Sequence, residues 1–475
     1  MSDRTRPCIY ISTVFGLIDV DLALGVELGR RSYPVRWIVS RDESAAALRR
    51  AGVEPAAIVS LAVSRSEVRQ ALCDTRADAA AASLVRAFGP SGDPYRFLML
   101  DRFAAQWPGP ARLHYGGLLA TRIRAALDAV SDFVIIGEPS SLTDWFLSLY
   151  ARRRGQLFCS LHTVRYPYGR IGCFAGIDDS TLLPLVNGAV SGARPSMESV
   201  IESRPDYYGL DSGDMGQRGL LEWPSRIRLL HQNSDEMADF SLKERILRRL
   251  RRIVHREYLS RAFRFDALDG QRPYVLFPLQ VQPEMVVDVC NPEFRDQLRT
   301  VSVIRRLLSP AFDLVVKEHH SQLGCRGPGF YRAVRKIPDV RVMSPKADGR
   351  VLARNAAAVV SVSGTMLLEA AMVGVPAIAL SPIFFGVHEG VHIVRNVDEL
   401  AAELGKLPIT PLDPARLAAA NRAWLDWVLA RSRRAEYGEL IYYPRVLDPR
   451  NVSAIADVLT EAAEGWRGGA VRSVP

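Results

Sequence analysis

Nothing in this sequence is arranged to build a metal centre or a disulfide framework. Its six cysteines, Cys8, Cys73, Cys159, Cys173, Cys290 and Cys325, are scattered over 475 residues without a CxxC pair, whereas zinc sites and disulfide scaffolds space their cysteines closely. Reduced thiols are expected, with no metal and no cofactor. A long unbroken apolar run is also missing. The nearest approach, Ala370 to Val387, is interrupted by Gly374, Pro376, Ser381, Pro382 and Gly386, so it reads as a buried helix, a turn and a core strand rather than a membrane span. The amino-terminal segment MSDRTRPCIYISTVFG has no apolar core followed by a small-residue cleavage site, which predicts a cytoplasmic protein without a secretory signal. Neither a fixed-period repeat nor a low-complexity segment is present, which excludes solenoids and arrays.

What is present is an ordinary globular composition, 48% hydrophobic and 24% charged, long enough to exceed one hydrophobic core and to predict two domains. Lys and Arg number 61 against 52 Asp and Glu, a formal charge of +9, which favours anionic partners without choosing among nucleotides, nucleic acid, acidic glycans and phospholipid. Short apolar runs recur, each followed by a helical pattern, and this alternation predicts parallel α/β layers. The first series holds strands at Cys8 to Thr13, Val35 to Ser40 and Asp132 to Glu138. Helices are expected over Asp21 to Arg31, Ser44 to Ala51, Ser64 to Phe88 and Leu118 to Ala129. An irregular stretch, Gly-, Pro-, Asp- and Tyr-rich around Arg204 to Gly219, precedes a second series with strands opening at Pro273, Phe312, Val340, Ala356 and Pro376. The predicted division is a first Rossmann-like domain with linker over 1–268, a second Rossmann-like domain over 269–445, and a terminal helix over 446–475 that returns to the first domain.

Three segments of the second series carry candidate chemistry. In Ala356 to Ile378 a strand ends at Ser361 to Ser363, Gly364 lets backbone approach a ligand, and Thr365 opens an amphipathic helix. The helix start offers amide donors and a positive dipole end to phosphate, and Glu369, one turn on, can accept from a ribose diol. The same pattern also suits a plain strand-turn-helix with Glu369 at the surface. In Phe312 to Gly327 an apolar strand delivers Lys317, Glu318, His319 and His320 to its carboxyl end, where open α/β sheets bind ligands. There Lys317 can meet phosphate and His319 can polarise or protonate it. Neighbouring histidines on a strand point to opposite faces, which disfavours metal. Lastly, Pro273 to Val287 empties into a polar turn with Gln280, Gln282 and Glu284, able to bridge base or sugar hydroxyls.

In this order the three segments, with PLQVQPE, KEHHSQLG, FYRAVRKIPDVRVMSP and SVSGTMLLEAAMVGVPAI, resemble the capsule polysaccharide biosynthesis glycosyltransferases, the family that includes bacterial Kdo transferases. In the first half DFVIIGE and HTVRYPYGRIG look similar to that family's strand and arginine-containing loop, and His320 stands where the family usually has proline. The resemblance implies a GT-B fold, two Rossmann-like α/β domains facing each other across a cleft, and a CMP-activated acidic sugar such as Kdo as donor without a catalytic metal. It places His319 on the donor phosphate, Ser363, Gly364 and Thr365 on phosphate, and Glu369 on ribose. The acceptor is then a surface or capsular glycan or glycolipid, handled by the first domain. Glu138 is the candidate base or nucleophile, or else a helix cap. His162, Arg165 and Arg170 are acceptor-side candidates, and Asp19 and Asp21, after the first strand, are a second possibility for the catalytic carboxylate in the acceptor-side loop. The alternatives are a sugar-nucleotide epimerase of similar fold and a noncatalytic partner in a capsule assembly complex.

A separate feature is the run Ser241 to Phe263, in which eight basic residues accompany an apolar stripe of Ile246, Leu247, Leu250, Ile253 and Val254. Such a helix either packs on its domain by that stripe or makes peripheral contact with an anionic membrane, which would suit a lipid-anchored acceptor. It lacks the interleaved aromatics that nucleic acid would need, so no nucleic-acid partner is expected.

Overall fold

A computed structural model gives the fold for residues 6–13, 15–73, 77–88, 95, 98, 107–138, 141–177, 180–187, 195–203, 242–268, 270–282, 287–288, 291–319, 322–440 and 442–467. Ser241, Glu284, Cys290, His320 and the stretch 204–219 lie outside these described residues.

The chain forms two α/β units, each around a mostly parallel sheet, as the alternating pattern predicts. The first sheet contains β1 (Cys8–Ser12), β2 (Val35–Val39), β3 (Ile58–Ser60), β4 (Phe133–Gly137), β5 (Leu157–Thr163) and β6 (Arg170–Ala175). The second contains β7 (Tyr274–Pro278), β8 (Asp313–Lys317), β9 (Val340–Met343), β10 (Ala358–Ser361), β11 (Ala377–Ala379) and β12 (Val391–Ile393). A last short strand, β13 (Arg433–Arg434), joins the first sheet antiparallel to β6. The sheet orders are β13-β6-β5-β4-β1-β2-β3 and β12-β11-β10-β7-β8-β9. In both, the first strand is flanked by the second on one side and the fourth on the other, the doubly wound order of a Rossmann-like domain, whose ligand crevice opens at the carboxyl ends where the strand order reverses.

Burial follows the period of two expected of strands covered on both faces. Tyr10 and Ile135 enter one core while Ile9, Ile11, Val134 and Ile136 enter the other. In the second sheet Leu276, Val315 and Val359 face one layer, and Val275, Phe277, Leu314, Val316 and Val360 the other. The first of these layers continues into the amino-terminal unit through Val164, Tyr166, Phe174 and Leu182. Phe174 meets Phe384 edge-on at 5.2 Å between centroids, so an apolar seam joins the two units.

Helix boundaries differ most from expectation in two places. The single helix expected over 64–88 is two, Arg65–Leu72 and Ala77–Phe88. The helix expected from Leu118 begins earlier, at Gly109, with Pro110 in its first turn where a missing amide costs nothing. The terminal helix Pro449–Arg467 buries Ile455, Leu459 and Ala463 against Leu24 and Leu28. Arg31 fixes it by donating from Nη1 to Asp457 Oδ1 at 2.6 Å and from Nη2 to Ser453 Oγ at 2.8 Å.

Candidate functional site

The crevice of the second unit opens between β7 and β10. Their register, Leu276 opposite Val359, and that of β7 with β8, Pro278 opposite Lys317, bring the ends of all three strands to one edge. Gln280, two residues past β7, donates from Nε2 to Ser361 Oγ at the end of β10, at 2.7 Å. Ser361 Oγ in turn donates to the Ser363 carbonyl at 2.9 Å, which fixes the turn leading into the helix Thr365–Met372. Gly364 precedes this helix at φ 133°, ψ 153°, and no side chain caps it. The first-turn amides therefore have no side-chain acceptor, the condition under which a helix start holds an anion.

Gly364 is required by its backbone, which lies in a region that only glycine enters without strain; a Cβ there would stand 3.4 Å from Gln280 Oε1, an ordinary contact. Gly364→Ala is expected to cost about 1–3 kcal/mol, read as a lowered denaturant midpoint with unchanged slope. A midpoint within error of the parent would mean that this turn relaxes freely.

Gln280 and Gln282 are joined by a residue that periodicity did not single out. Gln297, buried at the start of the helix Gln297–Leu307, accepts from the Gln280 amide at 2.7 Å and donates to Gln282 Oε1 at 2.6 Å. Gln282 Nε2 donates to Asp288 Oδ1 at 2.9 Å. Gln280 and Gln282 thus belong to an ordered hydrogen-bond network.

Of the ionisable residues at the end of β8, the three that the structure describes, Lys317, Glu318 and His319, diverge. Lys317 turns one way, buried, donating to the Glu318 carbonyl at 3.2 Å and approaching the Pro345 carbonyl at 3.4 Å. Burial lowers its pKa from the usual lysine range. Glu318 turns the other way and is fully buried. It accepts from Arg326 Nη1 at 2.6 and 2.7 Å, from Tyr331 Oη at 2.6 Å and from the His319 amide at 2.7 Å. Burial and the Glu318 charge push the Tyr331 phenol well above its usual range. Arg326 also donates to the Gln280 carbonyl, so one chain of hydrogen bonds runs from Glu318 through Gln280 to Ser361, across the ends of β8, β7 and β10. His319, half-buried, sits on this frame.

Glu369 lies one turn into the helix and engages the other unit. It accepts from Tyr166 Oη and from Arg350 Nε, the latter at 3.1 Å. Arg350 Nη2 donates to Tyr166 Oη at 2.6 Å and to the Ser203 carbonyl at 2.8 Å. Tyr166, in the loop between β5 and β6, and Arg350, in the helix Gly349–Arg354, are the partners that sequence reasoning missed. The aromatic YPY within the arginine-bearing loop was the available signal.

The first unit has its own crevice between β1 and β4. Ser12, opposite Gly137 in register, donates to Asp144 Oδ1 at 2.7 Å, and Ser141 donates to Asp144 Oδ2 at 2.7 Å. A Cβ on Gly137 would reach within 2.8 Å of Asp144 Oδ1, so glycine is what allows this approach. Ser141 caps the helix Leu142–Arg153 by accepting from the Asp144 amide, which means that Glu138, half-buried at the end of β4, does not cap it. Asp21, in the first helix (Ile18–Arg30), is fully buried and accepts from Tyr437 Oη at 3.0 Å. Burial drives its pKa up to about 7, with the Glu138 charge adding to the rise.

Of the acceptor-side candidates, His162 is half-buried near the end of β5, with Phe174 at 6.0 Å between centroids. Arg165 adopts a left-handed conformation, φ 65°. Arg170 donates to Ser432 Oγ at 3.0 Å and to the Ser432 carbonyl at 2.7 Å, tying β6 to the segment that returns from the second unit. Burial and the nearby Arg434 and Arg433 lower its pKa to about 10. Among the described residues no group of three or more His, Cys, Asp and Glu side chains is placed to hold a metal ion, and no helix is long and apolar enough to cross a membrane.

No protein-family model matches this sequence, and no curated protein does. Solved structures do match. The glycotransferase of kitacinnamycin is 14% identical, covering 97% of this chain and 100% of its own at a TM-score of 0.25. The UDP-GlcNAc 2-epimerase of Methanocaldococcus jannaschii is 11% identical, covering 88% and 98% at 0.26. The Thermosulfurimonas dismutans KpsC, a beta Kdo 2,7 transferase, is 12% identical, covering 65% and 90% at 0.29. At such identities and scores no activity passes from these proteins to this chain, whose chemistry is read from its own crevices.

Proposed function

We propose that this protein is a glycosyltransferase of GT-B architecture that moves an acidic, Kdo-like sugar from a CMP-activated donor to a glycan or glycolipid acceptor of a bacterial surface or capsular polysaccharide. The observation that carries this reading is the junction at the second unit's crevice, where the glycine turn at Gly364, an uncapped helix start and Gln280 come together, with His319 two residues past the end of β8 at the same sheet edge. In this reading Ser363, Gly364 and Thr365 hold the donor phosphate, His319 adds a proton or a hydrogen bond to it, and Glu369 takes ribose when it exchanges Tyr166 for the sugar. Gln280, Gln282 and Glu284 border the base. Lys317 supports the site through the Pro345 loop.

The first unit supplies the group that handles the acceptor. The acceptor hydroxyl oxygen bonds to the anomeric carbon as that carbon's bond to the phosphate oxygen breaks. CMP leaves with the electron pair, and the hydroxyl proton passes to a carboxylate. Glu138 fills this role best among the residues at the β4 end, since the helix that follows is already capped. His162 and Arg165 border the acceptor, while Arg170 holds their loop. No step requires a metal-bound intermediate.

The test is a thermal-shift panel of CMP, UDP, GDP and CDP with the full chain. A nucleotide present at a hundred times its Kd stabilises the native state by about 2.7 kcal/mol, a rise of roughly 5–10 °C for a domain of this size. CMP is expected to give that rise and UDP little. A response to UDP instead, with turnover of a UDP-sugar in the absence of any acceptor, would make the protein an epimerase. CMP binding with glycan production intact in Glu369→Ala and His319→Ala cells would make it a noncatalytic partner.

A further inference from the structure

The basic helix Leu242–Arg261 is turned the opposite way from a helix that its own domain holds by an apolar stripe. Ile246, Leu247, Leu250, Ile253 and Val254 are all between 46% and 65% exposed, and Tyr258 is 41% exposed. Leu259, on the opposite face, is its one fully buried side chain among the described residues. That same face meets the loop after β8. A Cβ on Gly324 would lie 2.5 Å from the Arg252 carbonyl and 2.9 Å from Arg256 Cβ, and one on Gly327 would lie 3.3 Å from His255. At 100° per residue these contacts sit roughly opposite the stripe. The helix is therefore seated by its polar face and presents its aliphatic face outward.

Charge decides what covers it. Arg249 and Arg251 flank the stripe on either side, and Lys243 and Arg261 stand in line with it at the two ends. Two copies of this helix laid face to face would bring like charges together, which costs stability. Nucleic acid would attract the arginines but gains nothing from five aliphatic side chains. An anionic lipid surface satisfies both, because acyl chains receive the stripe while long arginine stems carry their guanidinium groups up to phosphate.

We propose that this helix is an interfacial anchor for an anionic bilayer. Its position gives the anchor a consequence for the crevice. The loop it rests on, after β8, also carries His319, and Glu244 at the other end of the helix lies 4.0 Å from Arg65 of the first unit. Docking thus holds both units beside the surface on which a lipid-linked acceptor would be presented. The contact itself does not depend on the transferase reading.

The test is co-sedimentation of the full chain with vesicles of phosphatidylcholine containing one third phosphatidylglycerol, against phosphatidylcholine alone. Partitioning is expected to be at least about tenfold stronger on the anionic vesicles and to fall with added salt. The double variant Leu250→Glu, Ile253→Glu should lose at least about tenfold of it, with nucleotide-induced thermal shifts unchanged because both sites are exposed and outside the crevice. Should that variant misfold, Arg249→Gln with Arg251→Gln carries the test, with a several-fold loss expected. The proposal fails if the parent does not partition, or if partitioning survives the glutamates. It also fails if sedimentation velocity without lipid shows a dimer that the glutamates dissociate, or if the chain binds single-stranded RNA but not vesicles.

Discussion

Glu318→Gln is expected to lower the unfolding transition of the second unit by roughly 10 °C and to weaken nucleotide binding with it. The carboxylate is fully buried and takes four donated hydrogen bonds, two of them from Arg326, whose side chain is only 10% exposed. Glutamine removes the charge and points an amide donor at groups that are themselves donors. A buried cation left without its partner costs about 3–5 kcal/mol, and each kcal/mol moves the transition by about 2–4 °C in a domain of this size. Tyr331→Phe, which removes one neutral donor, should cost about 1 kcal/mol. Replacing both Glu318 and Arg326 by Met should recover much of the loss, since the penalty lies in the orphaned charge rather than in the missing attraction. Calorimetry of the four proteins measures this. A Glu318→Gln transition within about 2 °C of the parent, well below the shift expected for an orphaned buried charge, would show that Arg326 finds water instead.

The same cluster shows where sequence reading stops. Lys317, Glu318 and His319 were legible as a group because an apolar run ends abruptly in ionisable residues. Their division of labour was not. Alternation along a strand sends Lys317 and Glu318 to opposite faces, but which face holds Arg326 and Tyr331 depends on a loop residue 8 positions later and a helix residue 13 positions later. Gly364 was legible for a local reason, a strand followed by glycine and a helical pattern, and the turn is there with φ 133°. Glu369 was legible as the residue one turn into that helix, while its partner Tyr166 lies 203 positions away. No periodicity within either segment encodes that meeting.

Strand existence was legible for a similar reason. β1, β2, β4, β7, β8, β9, β10 and β11 are all short apolar runs bounded by polar residues, the pattern of strands buried on both faces. β13 was not, because Arg433 and Arg434 carry no strand signal and pair with β6 only after the chain has crossed back. In the basic helix, periodicity located the stripe but not its direction. An amphipathic pattern says which residues share a face; whether that face turns inward is decided by what the rest of the fold offers, and here the loop at Gly324 offers room for the arginine side.

Asp21 is expected to make the protein less stable as pH rises from about 4 to about 7, and Asp21→Asn should abolish that slope. Burial lifts this carboxyl from 3.8 in the unfolded chain to about 7 in the folded one, with Glu138 opposing its ionisation further. The native state therefore holds a proton that the unfolded state has released across this window. Stability rises with pH only where the unfolded state binds more protons, and here the native state binds more, so it falls. The contribution is complete below about pH 4, is lost progressively up to about 7, and is flat above. A carboxyl raised from 3.8 to about 7 by folding corresponds to roughly 4 kcal/mol. Asparagine stays neutral at every pH and keeps an oxygen to accept from Tyr437. The variant should match the parent near pH 4 and exceed it by roughly 4 kcal/mol at pH 8. Urea denaturation at pH 4.5, 6 and 8 decides it. Parallel profiles, or a variant weaker at pH 8, would mean that Asp21 is ionised in the fold and that Tyr437 stabilises its charge. If the variant is more stable and loses turnover as well, the protonated Asp21 is part of the acceptor machinery, and its strain against Glu138 is retained because the reaction uses it.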